Sequence, residues 1–232
     1  MSARVVLIHS AVADSRMWER QERKLRRLGL DVVAPDLPGF GSEPVPKKAF
    51  SFVDRIASLL PAMLVGNSFG GRIALETALA HPESVPRLVL ADAALGDHDW
   101  SDDMTSYFAR EEELLDHRDL DGATELTLSL FAAPRVHDVL RPMQRRAYEL
   151  QQEAEDPPVH WPERKPLSSL RPPTLVVVGE DDRPDFHAIA KRIAHEAPDA
   201  RLEIVKGARH LPSLETPDEF ERLAFPFLGV DG

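Results

Sequence analysis

The sequence predicts an α/β fold, in which a mostly or wholly parallel sheet of about six strands is interrupted by a helical insertion. Short apolar runs alternate with helix-like stretches in residues 1–96 and again in residues 167–232. Parallel strands need crossover connections, and helices usually supply them. Between these two parts, residues 97–166 show helical periodicity only. We therefore expect a core built from residues 1–96 and 167–232, and a helical cap built from residues 97–166.

Each strand is predicted from an apolar run that is too short for a helix. In chain order these runs are Val5–Ile8, Asp31–Pro35, Ala62–Val65, Val85–Ala91, Thr174–Val178 and Arg201–Val205. Helices are predicted between the strands, at residues 17–28, 50–60, 71–79, 186–197 and 217–227. In the insertion, apolar residues recur at helical spacing, at Met104, Tyr107, Phe108 and Leu115 and then at Val139, Met143, Ala147 and Leu150.

Charge and cysteine content exclude several classes of partner and site. The formal net charge of −11 argues against nucleic acid and anionic membranes as partners. Residues 97–166 contain 17 Asp or Glu and 8 Lys or Arg, which we interpret as a solvated outer face. The chain has no cysteine, which excludes thiol catalysis, disulfides and cysteine metal sites. The sequence has no signal-peptide pattern and no membrane-length apolar run, so we expect a cytoplasmic protein.

The segment Gly66-Asn67-Ser68-Phe69-Gly70 has the form G-x-S-x-G. It lies between a predicted strand and a predicted helix. A sharp turn at this point exposes the serine hydroxyl, and the glycines let neighbouring backbone approach closely. In this context the pattern is typical of the nucleophile turn of a serine hydrolase, and less typical of a glycine-rich turn with an incidental serine.

A nucleophilic serine needs a base, and the base needs an acid that orients it. Asp182 follows the predicted strand at 174–178, and His210 follows the one at 201–205. The chain order Ser68, Asp182, His210 is the order that accompanies this turn. All three residues follow strands of a parallel sheet, where active sites gather. Other candidates for the acid are Asp92, which ends an earlier strand, and the neighbours of Asp182, namely Glu180, Asp181 and Asp185.

The remaining histidines suggest no metal site. His187 and His195 are eight residues apart on one predicted helix, so they do not form an i, i+4 ligand pair. We therefore expect no metal.

With these residues in place, the chain resembles the α/β-hydrolase fold superfamily over nearly its whole length. Residues 36–42, Asp-Leu-Pro-Gly-Phe-Gly-Ser, resemble the D-x-P-G-x-G-x-S loop of that family, and residues 210–217 resemble its H-x-x-x-x-E-x-P ending. Residues 14–18 and 119–123 resemble members labelled 3-oxoadipate enol-lactonase-like. The resemblance implies an α/β-hydrolase fold with a helical cap, in which the family's usual first two strands are missing.

The resemblance also implies roles at matching positions. Ser68 would be the nucleophile, His210 the general base and then the acid, and Asp182 the orienting acid. The backbone N–H groups of Ala11 and Phe69 would form the oxyanion hole, which stabilises the charge on the attacked carbonyl oxygen.

Two positions depart from the family's pattern. Ser10 stands where the family usually has glycine after the histidine of the oxyanion loop, and we expect it to re-aim that loop. Arg209 stands where the family usually has glycine before the catalytic histidine. Its cation could lower the pKa of His210, bind a substrate carboxylate or face solvent. His9 is expected to hold the oxyanion loop in place rather than to carry protons.

The cap is expected to supply walls of the substrate pocket. Candidate pocket residues are His9, Ser10, Trp100, Tyr107, Phe108, Phe131, Trp161 and Arg209, with Met104 and Leu128 beside them. Mostly apolar walls suit a small or medium hydrophobic ester or lactone, cleaved through an acyl-enzyme on Ser68 without a cofactor.

Three alternatives to an ester or lactone hydrolase stay open. C–C bond hydrolases of the meta-cleavage type share the sequence motif Gly-Asn-Ser-Phe-Gly-Gly, which stands here at residues 66–71. A cofactor-free perhydrolase would use the same triad. A non-catalytic ligand receptor could use the same fold, because fold alone does not fix function. The sequence also leaves open whether the protein is a monomer or a homodimer.

Overall fold

The computed structural model describes residues 3–155 and 157–230. Its strands are β1 (Arg4–Ile8), β2 (Asp31–Val33), β3 (Met63–Asn67), β4 (Leu88–Ala91), β5 (Thr174–Gly179) and β6 (Ala200–Val205). They form one six-stranded sheet in the order β2-β1-β3-β4-β5-β6, and every neighbouring pair is parallel. The predicted α/β fold with a parallel sheet of about six strands is therefore confirmed.

The helices follow the strands along the chain. They are α1 (Glu19–Arg27), α2 (Phe52–Ala57), α3 (Phe69–Ala80), α4 (Asp102–Asp116), α5 (Leu120–Phe131), α6 (His137–Gln152), α7 (Pro184–Glu196), α8 (Pro212–Glu215) and α9 (Pro217–Phe227). Helix α3 packs against β1, β3 and β4, and α7 packs against β5 and β6. The helices α4, α5 and α6 all lie in the insertion between β4 and β5, and α5 packs against both of the others.

The central strands explain why the sequence shows apolar runs without alternation. Every residue of β3, β4 and β5 is buried, as are four of the five residues of β1. Val6 pairs with Leu64, and Leu64 pairs with Leu88. Strands that are covered on both faces have no solvent-facing side, so both sets of side chains must be apolar.

Proline explains where the predicted elements are too long. The fourth strand was expected to begin at Val85 but begins at Leu88, and Pro86 lies in the missing part. Proline has no backbone N–H, so it cannot donate in a sheet ladder. Helical structure was also expected through residue 166, yet among the described residues α6 is followed by no further helix before β5 except a 3-10 turn at Leu167–Ser169. That stretch contains Pro157, Pro158 and Pro162, and Val159 instead forms an isolated bridge with Phe50.

The strand order indicates at which end of the sheet a ligand site is expected. The chain passes from β1 to β2 on one side and returns to β3 on the other side of β1. In open parallel sheets, ligands bind at the carboxyl ends of strands near such a reversal. Among the described residues, no helix is both long enough and apolar enough to cross a membrane.

Candidate active site

Ser68 occupies the sharp turn between β3 and α3. Its backbone has φ 56° and ψ −115°, a combination that residues with side chains rarely adopt. Gly70 makes the turn possible, because a Cβ at that position would overlap the carbonyl oxygens of Ile8 and His9. The close approach lets α3 begin directly against the end of β1. A strained backbone held in this way is typical of functional sites.

The structure joins Ser68, His210 and Asp182 by hydrogen bonds. The Oγ of Ser68 lies 2.7 Å from Nε2 of His210, and Nδ1 of His210 lies 2.8 Å from Oδ2 of Asp182. An ionised Asp182 can only accept, so Nδ1–H donates to it and Nε2 is left free to accept the Ser68 proton. The side chains of His210 and Asp182 are each 1% exposed, so water does not compete for these bonds.

Backbone contacts fix the relative positions of the three groups. Asn67 precedes the nucleophile, and its side-chain amide donates to the carbonyl oxygen of His210 at 3.1 Å. The N–H of His210 donates to the carbonyl oxygen of Phe131, at the end of α5, at 3.2 Å. At the end of β5, a Cβ on Gly179 would overlap the carbonyl oxygen of Arg209. Glycine there lets the loop that carries Asp182 lie directly against the loop that carries His210.

The other carboxylates considered for the acid have different contacts. Asp185 accepts hydrogen bonds from Ser101, at 2.7 and 2.9 Å, and contacts His98 at 2.9 Å. Glu180 accepts the N–H of Gly207. Asp92 is fully buried near Asp182, and its Oδ1 accepts the N–H of Gly179 at 2.8 Å. Asp182 is the carboxylate that the structure places in hydrogen-bond contact with His210.

The loop after β1 carries the two predicted oxyanion-loop residues and Ala11. His9 is buried, its Nε2 accepts the N–H of Leu37 at 2.9 Å, and its Nδ1 donates to the carbonyl oxygen of Ser10 at 2.8 Å. Burial lowers the pKa of His9, and an acceptor Nε2 requires the neutral ring. The structure therefore gives His9 the bonds of a loop-holding residue.

Two backbone N–H groups at this point have no acceptor within the part of the chain that the structure describes. Ala11 N–H donates no hydrogen bond within the described residues 3–155 and 157–230. Phe69 is the first residue of α3, where a backbone N–H has no intrahelical acceptor. Ser10 Oγ accepts the N–H of Val12 at 3.3 Å, so the serine hydroxyl braces the loop on the far side of Ala11.

A cavity of about 340 Å³ lies against Ala11 and Phe69. We call it the Phe50 cavity, and its other lining residues are Pro38, Phe40, Val45, Phe50, Phe52, Gln151, Ala154, Pro157 and Val159. None of these side chains is charged. The sequence does not predict this set, because the set joins the segment between β2 and β3 to the end of the insertion. The two segments are held together by the isolated bridge between Phe50 and Val159 and by the hydrogen bond from Gln151 to the carbonyl oxygen of Gly39.

The predicted pocket residues lie around the site rather than in the Phe50 cavity. The Phe131 ring is centred 4.9 Å from the His210 ring, and Trp161 contacts Phe69 at 6.2 Å between centroids. Trp100 packs against Phe108, which is partly exposed to solvent. Tyr107 is buried among the insertion helices, with its hydroxyl 2.9 Å from Thr127 and 2.6 Å from Glu111, and Met104 and Leu128 are buried as well.

Arg209 has a clear partner in the insertion. Its guanidinium donates to the carbonyl oxygens of Ala132 and Leu130 at 2.7 Å each and of Ser129 at 3.0 Å. These carbonyls lie at the C-terminal end of α5, where they lack intrahelical donors and where a cation is also favoured by the helix dipole. The structure thus gives this cation a role that the sequence does not predict, because the guanidinium caps a helix.

Comparison with known proteins places this geometry among hydrolases. Residues 5–223 match the alpha/beta hydrolase family. The chain is 30% identical to 2-hydroxymuconate semialdehyde hydrolase of Pseudomonas putida, over 85% of this chain and 76% of that protein. It is 27% identical to pimeloyl-[acyl-carrier protein] methyl ester esterase of Nitrosospira multiformis, over 93% and 90% of the two chains. The crystal structure of the enol-lactonase from Burkholderia xenovorans LB400 superposes with a TM-score of 0.76 at 22% identity, covering 99% of this chain and 92% of that one.

Proposed function

This chain belongs to the alpha/beta hydrolase family and is a hydrolase-type enzyme, and we propose that it is a serine hydrolase of small or medium, uncharged carboxylic esters or lactones. The observation that carries the proposal is the unbroken hydrogen-bonded series Ser68–His210–Asp182. Ala11 and Phe69, whose N–H groups have no acceptor among the described residues, line the Phe50 cavity beside it, and no described side chain in that lining is charged. We place the enzyme in the cytoplasm and assign it no cofactor.

The mechanism follows from the direction of the hydrogen bonds. His210 Nε2 takes the proton of Ser68 as Oγ attacks the substrate carbonyl. The N–H groups of Ala11 and Phe69 receive the negative charge that forms on the carbonyl oxygen. His210 then gives its proton to the leaving alcohol, which produces an acyl-enzyme. Water activated by His210 attacks this ester and releases the acid. Asp182 stabilises the imidazolium of His210 in both acylation and deacylation.

The acyl group of the substrate fits best in the Phe50 cavity. The carbonyl oxygen must face Ala11 and Phe69, and both residues line this cavity. The His210 ring packs against Phe131 and Phe186, at centroid distances of 4.9 and 4.2 Å, and neither of these rings lines the Phe50 cavity. The leaving alcohol must approach His210, so these rings restrict its size. A cavity of about 340 Å³ is near the small end of ligand pockets, which suits a short or medium acyl chain.

A second candidate is the C–C bond hydrolase, which is favoured by the 30% identical relative named for 2-hydroxymuconate semialdehyde. Such a substrate carries a carboxylate, and a buried carboxylate needs a cation or several donors. The described residues that line the Phe50 cavity include no Lys, Arg or His, and Gln151 already donates to the carbonyl oxygen of Gly39. The charge-free lining supports the ester or lactone hydrolase over this candidate.

The first experiment compares hydrolysis of p-nitrophenyl acetate, butyrate and octanoate by the wild type and Ser68→Ala. Loss of the nucleophile should reduce kcat/KM by at least about 10⁴-fold, to background. Ser106→Ala, an exposed serine on α4, is the matched control and should keep full activity. Hydrolysis that survives in Ser68→Ala would contradict the acyl-enzyme mechanism.

A wild type that is inert to esters but cleaves a dienone acid would favour the C–C hydrolase, and peroxide-dependent halogenation would favour the perhydrolase. Tight ligand binding without turnover would favour the receptor.

The acyl site has its own test. Phe50→Ala should enlarge the Phe50 cavity and move the preferred acyl chain from short or medium towards octanoate. Val139→Ala changes an exposed residue on α6 that does not line the cavity, and it should leave the preference unchanged. An unchanged chain-length profile in Phe50→Ala would show that the acyl group binds elsewhere.

A further inference from the structure

A second buried carboxyl group, that of Asp92, lies beside the acid of the triad. Asp92 directly follows β4 and has no exposed surface. One oxygen of Asp92, one oxygen of Asp182 and one ring nitrogen of His210 lie within 4.8 Å of one another. The mechanism above uses Ser68, His210 and Asp182, and gives Asp92 no part.

The two oxygens of Asp92 have different surroundings. Oδ1 accepts the N–H of Gly179 at 2.8 Å. Oδ2 is buried and receives no hydrogen bond from a donor group within residues 3–155 and 157–230. An ionised oxygen in that position would be an uncompensated buried charge, which is strongly unfavourable. An oxygen that carries a proton would instead need an acceptor nearby.

The charged groups that face Asp92 decide between these two states. They are Asp182 and Glu215, which are both acidic, and His210, whose Nδ1 is already bound to Asp182. Burial and the negative charge of Asp182 raise the pKa of Asp92 well above its ordinary value. Two neighbouring buried carboxyl groups cannot both be ionised, so one of them holds a proton. Asp182 accepts from His210, which leaves the proton on Asp92.

Resting on the proposed function, we propose that Asp92 is a positioning residue, whose protonated Oδ2 donates a hydrogen bond to the Asp182 carboxylate and keeps it aimed at His210. The Gly179 N–H fixes one end of the Asp92 carboxyl group, and Asp182 accepts at the other. Of the pair Asp92 and Asp182, only Asp182 is then negatively charged. Its charge balances the imidazolium that forms when His210 takes the Ser68 proton.

The backbone of Asp92 also indicates a positioning role. Its φ is 45°, in the left-handed region that side chains seldom occupy and that Asp and Asn tolerate better than most. Its N–H still donates to the carbonyl oxygen of Val177 at 2.8 Å, so the pairing of β4 with β5 continues through this residue. The strained backbone and the ladder bond together fix the direction of the carboxyl group.

Asp92→Asn and Asp92→Gly separate a neutral donor from a negative charge. The Asn amide can accept from Gly179 and donate to Asp182, whereas Gly tolerates φ 45° but has no side chain. We expect Asp92→Gly to lower kcat by about 10- to 100-fold with little change in KM, because a misplaced base slows chemistry without removing a substrate contact. Asp92→Asn should restore kcat to within about threefold of the wild type and keep its pH profile. An Asn variant as impaired as the Gly variant, with both folded by thermal melting, would overturn the proposal, and so would a fully active Gly variant.

A measurement without substrate tests the proton itself. The infrared difference spectrum of the wild type minus Asp92→Asn at neutral pH should show the carbonyl stretch of a protonated carboxylic acid. Absence of that band would overturn the proposal even if Asp92→Gly fails to fold. This readout needs no turnover, so a chain that is inert to every ester would defeat the proposed function and still leave the state of Asp92 decided.

Discussion

The guanidinium of Arg209 lies 2.7 Å from the carbonyl oxygen of Ala132, so the residue before His210 is bonded to the end of an insertion helix. Two further carbonyls, those of Ser129 and Leu130, accept from the same side chain. In the same place, the N–H of His210 donates to the carbonyl oxygen of Phe131. The loop that holds His210 and the C-terminal end of α5 are therefore fixed to one another.

Arg209→Ala should lower both stability and activity. Hydrogen bonds from a charged group contribute about 1.5–3 kcal/mol, and a loss of that size lowers the Tm of a protein this long by about 2–4 °C per kcal/mol. A loosened α5 end also frees Phe131 from His210, so kcat should fall more than KM changes. Arg209→Lys keeps the charge but cannot bridge three carbonyls, and its Tm should fall between those of the wild type and the Ala variant.

The matched control is Arg222→Ala. Arg222 is exposed, and among the described residues it forms an ion pair only with Glu219, one helical turn away. Such exposed pairs contribute little to stability. If Arg209→Ala melts no lower than this control, the three hydrogen bonds do not hold the two segments together.

The buried, neutral His9 should make folding stability depend on pH. Burial lowers the pKa of His9 in the folded protein below its ordinary value of 6.5. As the pH falls, the unfolded chain therefore binds a proton at residue 9 before the folded chain does. The stability that a neutral His9 contributes is complete above about pH 6.5 and is lost as the pH falls below this value.

His9→Gln keeps an acceptor for Leu37 N–H but cannot be protonated, so its Tm should fall less between pH 7 and pH 5. His195→Gln, at an exposed position, should keep the wild-type slope. A wild-type slope in His9→Gln would contradict the neutral, buried state.

The sequence predicts the sheet and the triad because both depend on local pattern. Strands buried on both faces must be apolar throughout, and Ser68 and Asp182 each follow such a strand, whereas His210 follows the edge strand β6. The Phe50 cavity could not be predicted in this way, because Phe50 and Val159 meet only in the folded chain. The partner of Arg209 could not be predicted either, since a cation beside His210 suits several roles until the end of α5 is placed. The charge state of Asp92 depends on its distance from Asp182, which the spacing of two residues in the chain does not give.

Asp36, in the loop after β2, should stabilise the fold down to low pH. Burial raises the pKa of its carboxyl group, but hydrogen bonds from Ser42 and Ser15 outweigh this and lower it from 3.8 to about 2. A lowered folded pKa gives stability that is present above pH 3.8 and lost as the pH falls towards 2. Because Asp36 is only partly buried, the contribution is discounted to about 1 kcal/mol.

Urea unfolding at pH 5, 4 and 3 measures this contribution. Asp36→Asn should be less stable than the wild type at pH 5, and the difference should shrink towards pH 3. Asp199→Asn, at an exposed position, should match the wild type throughout. A difference between Asp36→Asn and the wild type that stays constant with pH would mean that the hydrogen bonds do not depend on the carboxylate charge.

Ser10 should affect kcat through the oxyanion loop. Its Oγ accepts the N–H of Val12 at 3.3 Å, and Ala11, between these two residues, presents the N–H proposed for the oxyanion. Ser10→Ala removes the brace and keeps the backbone restricted, whereas Ser10→Gly also frees the backbone. Removal of a whole oxyanion donor costs about 10²–10³-fold in kcat, so a donor that is merely less fixed should cost less, about 3- to 30-fold. The order of kcat on p-nitrophenyl butyrate should be wild type, then Ala, then Gly, with similar KM values. A Gly variant faster than the wild type would show instead that Ser10 holds Ala11 away from its best position, and Ser10 would then act against the reaction.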